Sequence, residues 1–256
     1  MALPPAAGDW AVWQMVDSLY PTGGFAHSLG LEAAVQERLV TSGGAPLARF
    51  LRSSLHQSAN FALPIVFSMH SAALQTRGGD GSGEQQALLD AVLDVNARTT
   101  ALFSNHVARK ASLAQGAAML RLALSTYGSA GSPDEQAHDA FAVLLAVRKE
   151  SKRQQHPGVH HAVVFALVCA LLGVDSDTCQ RLFLFYGVRD VLSAATRLNL
   201  VGPFEAARVQ FELRGLLERV FQAKKNRPLE DSYSSAPVLD LVQAMHDQLY
   251  TRIFNS

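Results

Sequence analysis

Between Val159 and Leu172 the chain reads Val-His-His-Ala-Val-Val-Phe-Ala-Leu-Val-Cys-Ala-Leu-Leu. A helix with that sequence is apolar nearly all round, so it belongs at the centre of a core. The longest apolar run, Ala162 to Val174, falls short of the about 20 residues that a bilayer demands. Other elements must therefore cover this segment, and they read as helices. Trp10, Trp13, Val16 and Tyr20 recur at three- to four-residue spacing behind Asp9, a candidate cap. Pro21-Thr-Gly-Gly predicts a stop, and Ser28 predicts the cap of a second helix with Leu31, Val35 and Leu39 on its apolar face. Leu47–Ala59 and Leu63–Leu74 read as two helices parted near Pro64. Glu84–Tyr127 reads as helical, with a break near Ser104-Asn105. Ser132-Pro133-Asp134-Glu135 is a capping box with Pro at the first helical position, ahead of the face Ala137, Phe141, Leu144, Leu145. Asp175 or Ser176 caps Cys179–Leu198, Pro203 opens a helix through Phe211, Leu217 and Phe221, and Val238, Val242, Met245 and Leu249 stripe a last one. No alternating run, fixed-period repeat or interdomain linker interrupts this pattern. The expected fold is a single all-α domain over residues 1–256 with about eight to ten helices, given usual helix lengths. Residues 1–8 are expected to be disordered.

With 256 residues the chain can bury roughly 70–75% of its unfolded surface, so its core needs no disulfide or metal. Lys and Arg number 22 and Asp and Glu 22, a balance that argues against a nucleic-acid or polybasic membrane binder. Charged residues make up only 17% against about 25% in typical domains, which implies that a partner covers part of the surface. Cys169 and Cys179 lack metal or redox spacing and fit a reducing compartment. Met1-Ala-Leu-Pro-Pro lacks the charged and apolar regions of a signal peptide. A soluble, cytoplasmic protein is expected.

Enzyme motifs fail on context. Gly78-Gly-Asp-Gly-Ser-Gly has no preceding strand and no Gly-Lys-Ser/Thr ending, so it is a surface loop rather than a phosphate cradle. Ala26-His27-Ser28-Leu29-Gly30 imitates a nucleophile elbow, and a helical hydrolase using Ser28 and His27 is the alternative reading. The elbow needs a strand before it, and here Tyr20-Pro-Thr-Gly-Gly-Phe precedes it. His160 and His161 are adjacent and point about 100° apart on a helix, so they do not share an ion from one face. No catalytic residue and no metal ligand is assigned.

The segment Asp17-Ser-Leu-Tyr-Pro21-Thr-Gly23-Gly24-Phe25-Ala-His27-Ser28-Leu-Gly30-Leu31-Glu32 resembles the opening motif of the UreF family of urease accessory proteins. Three later segments agree in order: Arg109-Lys-Ala-Ser112 with Gln115-Gly116, Ala194-Ala-Thr-Arg197-Leu198-Asn-Leu-Val-Gly202-Pro203, and Tyr250-Thr-Arg252-Ile-Phe254-Asn-Ser256. The resemblance is strongest to plant-type members. Tyr20, Thr251 and Ile253 depart from the family pattern, which touches local packing only. The resemblance implies an all-α, often dimeric, non-enzymatic chaperone with no stably bound cofactor. Such proteins act with UreD (also called UreH) and the GTPase UreG, which binds GTP and delivers nickel, on apo-urease.

Read physically, Pro21, Gly23 and Ser28 have adequate turn and capping roles. Phe25, His27 and Glu32 suit a contact patch. Arg197 is expected to neutralise a buried carboxylate such as Asp17 or Glu32, or else to reach a partner. Arg252, Phe254 and Ser256 lie beyond the last predicted helix, where residues usually fray. The favoured expectation is that Thr251–Ser256 is a partner-docking tail whose removal leaves folding unchanged. The competing one folds Ile253 and Phe254 back onto their own core.

Overall fold

Every residue from Ala162 to Leu171 is buried, so the all-round apolar helix is the hub that its sequence demands. A computed structural model of the chain describes residues 5–17, 19–42, 44–76, 82–127, 135–153 and 158–256. Among them the order is α1 (Pro5–Val16), α2 (Leu31–Gln36), α3 (Gly44–Gln75), α4 (Ser82–Leu102), α5 (His106–Thr126), α6 (Glu135–Glu150), α7 (His161–Leu171), α8 (Ser176–Arg197), α9 (Pro203–Lys224) and α10 (Pro237–Ala244). Short 3-10 turns occupy Gly24–Ala26, Leu229–Asp231 and Met245–Gln248, and the described residues contain no strand. The fold is all-α. None of the described helices is long and apolar enough to cross a membrane.

Two hydrophobic clusters share α3 and α8. One surrounds α7 with Ile65, Met69, Val92, Met119, Leu144 and Tyr186. The other joins Leu31, Phe50, Leu63, Val191, Phe221 and Phe254 from α2, α3, α8, α9 and the segment beyond Gln248. Where α5 meets the entry to α7, a Cβ on Gly116 would lie 1.9 Å from the Val159 carbonyl, so this close approach admits only glycine. His160 closes the junction. Its Nδ1 meets Ser112 Oγ at 3.1 Å, its Nε2 meets Thr100 Oγ1 at 3.1 Å, and its ring stacks on Phe103 with centroids 4.7 Å apart. Burial there lowers its pKa to about 4, so the ring is neutral at pH 7.

The predicted break between α4 and α5 falls where expected, and Asn105 Oδ1 accepts from the amides of Val107 and Ala108. Asp175 caps α8 through the Thr178 amide, and Pro203 opens α9. Other expectations are corrected. The two helices read on either side of Pro64 are one, α3. A proline inside a helix frees a carbonyl one turn back and crowds another. Here Asn60 O accepts from the Tyr233 amide at 3.2 Å, and Phe61 O accepts from Ser232 Oγ at 2.7 Å. A distant loop thus supplies the donors that proline withdraws. The first helix begins at Pro5 rather than behind Asp9, so residues 5–8 are helical, while residues 1–4 lie outside the described residues. Trp10 and Trp13 stay exposed, edge to face at 4.9 Å, and Met15 is buried instead. Phe211, Leu145, Leu39 and Val238 are likewise exposed, because the true apolar faces are rotated or end sooner. The capping box at Ser132–Asp134 and the side chains of Ala137 and Phe141 lie outside the described residues.

Candidate functional site

The opening motif and the segment 251–256 meet. After α1, Asp17 Oδ1 accepts from the Leu19 amide. Gly23, at φ 81°, turns the chain into the Gly24–Ala26 turn. A Cβ on Gly24 would lie 2.1 Å from Asp190 Oδ2, so any larger residue there would displace the Asp190 carboxylate. Asp190 is buried and bonded to Arg189 at 3.1 Å, and its burial raises its pKa. Gly30, at φ 87°, caps α2. That displaces the predicted Ser28 cap: Ser28 N and Oγ instead donate to Ser256 O, at 2.7 and 3.2 Å.

Glu32 is in the first turn of α2, as its position predicts, yet it is buried and faces the interior. Its Oε1 accepts from the Ile253 amide at 2.6 Å. Its Oε2 accepts from the Phe254 amide at 3.1 Å and from His246 Nε2 at 3.0 Å. A carboxylate only accepts, so the proton of the His246 ring sits on Nε2. His27 Nδ1 shares a 2.6 Å hydrogen bond with Ser256 Oγ, and the Asn255 amide donates to Ala26 O at 2.9 Å. Burial lowers the pKa of His27, with the nearby His246 adding to the effect. Phe254 is packed into the second cluster, and Arg197 lies over its ring at 4.3 Å.

This geometry corrects two expectations. The segment 251–256 does not hang free: it is fastened to its own core by Glu32, His27 and Ser28, so the competing expectation holds for Phe254, while the Ile253 side chain stays exposed. Arg197 pairs with neither Asp17 nor Glu32; the buried carboxylate its charge acts on is Asp190, and its guanidinium lies 4.3 Å from the Phe254 ring and 5.8 Å from the Phe25 ring. His27, Glu32, Phe254 and Ser256 are buried and act as fasteners. Phe25, Arg197 and Arg252 are exposed, beside Ile253 and a fully exposed Tyr250. Arg252 reaches Asp247 at 3.3 Å. Leu31 is buried under the motif, Leu198 ends α8 and Gly202 caps α9. Sequence reasoning missed His246, Asp190 and Gln36, whose Nε2 donates to Thr251 O at 2.9 Å. No spacing signal marks them, because each acts across the fold.

His27 pairs with Ser256 and not with Ser28, so the two residues of the hydrolase alternative form no nucleophile–base pair. No three His, Cys, Asp or Glu side chains converge as a metal site among the described residues. The arrangement can hold an exposed aromatic–cationic surface in a fixed shape.

Comparison with known proteins points the same way. The UreF family model matches residues 42–214. Urease accessory protein F of Arabidopsis thaliana is 39% identical over 248 residues, covering 97% of this chain and 92% of its own. The protein of the same name from Oryza sativa subsp. indica is 36% identical over 245 residues, covering 96% and 84%. Urease accessory protein UreF of Bacillus sp. (strain TB-90) is 26% identical over 252 residues, covering 96% and 98%.

Proposed function

The chain belongs to the UreF family of urease accessory proteins, and we propose that it works there as a non-enzymatic scaffold in assembling the nickel centre of apo-urease. In this reading it joins UreD (UreH) and UreG in the cytoplasm. Nickel is cargo delivered by UreG, GTP is bound by UreG, and this chain holds no cofactor of its own. Its low content of charge suits a surface shared with partners and with a second copy of itself.

The observation that carries the reading is the fastened surface around segment 251–256. Exposed Phe25, Arg197, Arg252 and Ile253 are aromatic, cationic and aliphatic, the types that anchor interfaces. Beneath them a buried carboxylate and two buried imidazoles remove the ordering cost that a frayed tail would meet on docking.

The test is co-purification. The chain, UreD and UreG homologues are mixed and sized, and urease activation is followed in cells. Phe25→Ala combined with Ile253→Ser should leave the helical spectrum unchanged, weaken capture by UreD at least tenfold and reduce urease activation. GTP turnover should appear only with UreG present. Full activation by the double variant would remove this surface from the mechanism, and GTP turnover by the isolated chain would overturn the scaffold reading.

A further inference from the structure

A cavity of about 200 Å³ opens between α3, α5, α8 and α10. Its body is apolar: Phe61, Ile65, Leu102, Phe183 and Tyr186 form the walls. Its rim is polar and uncharged for the most part, with Gln57, Asn105 and Gln243. No lysine or arginine lines it. Its two carboxylates are already engaged, Asp190 by Arg189 and Asp240 by Ser234 and Gln57. His161 completes the wall, and burial lowers its pKa to about 4, which keeps the ring uncharged at pH 7. Its Nε2 meets no hydrogen-bond partner among the described residues.

These features define what fits. An anion meets no cation here, and the two carboxylates are already paired, Asp190 with Arg189 and Asp240 with Ser234 and Gln57. An apolar engineered cavity of about 150 Å³ takes one benzene ring, so this volume suits one ring with a short polar substituent. We propose that the cavity is a binding site for a small uncharged amphipathic molecule, its ring between Phe61, Ile65 and Phe183 and its hydroxyl or amide against the Gln243 side chain. Leu239, Asp240 and Gln243 bring α10 to the mouth as one wall, so an occupant would brace the helix that precedes the fastened segment.

The test uses the full chain and benzyl alcohol as the probe, with benzoate as its charged counterpart. Titration followed by amide chemical shifts should saturate with a Kd on the order of millimolar, as expected for a ligand of this size. Shifts should centre on Phe61, Phe183 and Gln243. Ala108→Phe and, separately, Ala62→Leu place bulk into the cavity from two sides and should each weaken binding at least tenfold. Either variant that keeps the helical spectrum suffices. Benzoate should bind at least tenfold more weakly. The proposal fails if benzyl alcohol does not saturate, if a folded cavity-filled variant binds it unchanged, or if benzoate binds equally well.

Discussion

Glu32 shows how a single side chain can look like a contact residue and be a structural one. Three donors converge on its carboxylate, two backbone amides and the Nε2–H of His246. Glutamine is nearly isosteric, but its amide nitrogen would face one of those donors. Glu32→Gln should therefore cost about 2 kcal/mol, the usual penalty for an unsatisfied buried polar group, and should be read as a lowered midpoint in denaturant unfolding. Arg252→Ala, which removes an exposed ion pair with Asp247, should stay within about 0.5 kcal/mol of the parent. If the ranking were reversed, Glu32 would be a surface residue and Arg252 the anchor. From sequence, Glu32 was legible as a first-turn acid of α2 and as a family position. Its partners lie more than 200 residues away, and no local periodicity carries that information.

Elements were most legible where local chemistry closes on itself. Asn105 caps α5 from within three residues, Asp175 does the same for α8, and α7 announces its burial in its own composition. Pro64 failed as a helix breaker because its remedy comes from Ser232 and Tyr233, far along the chain. Pro64→Ala returns an amide to α3, which then competes for Asn60 O. The fold should persist, and the Tyr233 amide should exchange with deuterium faster than in the parent. Unchanged exchange at Tyr233 would detach that loop from the proline. The segment 251–256 was misread for a related reason: its apolar residues suit an interface, and the interface they occupy is internal. Deleting Thr251–Ser256 removes a buried Phe254 and strips Glu32 and Ser28 of their partners. At about 3–5 kcal/mol for a buried aromatic and about 2–4 °C per kcal/mol at this size, the melting temperature should fall by roughly 6–20 °C. A truncated chain that melts with the parent would return the segment to a free tail.

On the scale of the whole molecule, acid is the predicted weakness. His160 and His161 are held neutral, their pKa lowered to about 4 by burial, whereas the unfolded chain takes up protons near 6.5. Below pH 6.5 the unfolded state binds more protons than the folded one. Stability therefore falls as pH drops from 6.5 to 4, by up to about 1.4 kcal/mol per pH unit for each ring, and levels off below. Asp190, whose pKa is raised, works in the opposite sense in the carboxylate range. Urea unfolding between pH 7.5 and 4.5 should show the loss, and His160→Gln should flatten it; a pH-independent midpoint would contradict both neutral rings. The fold class followed from helical period throughout, while the site depended on contacts that no stretch of sequence contains. Those contacts also set a timetable. The motif at residues 17–32 is synthesised early, and the amides that its Glu32 awaits follow some 220 residues later. Early regions of a chain fold while the rest is still being made, and closing so long a loop comes late. A nascent or prematurely terminated chain would carry most of its helices and yet leave Glu32 without donors and Phe25 without its Arg197–Phe254 backing. The Phe25–Arg197–Phe254 surface thus takes shape only after residues 251–256 have been made, and a truncation before Ile253 should lose it.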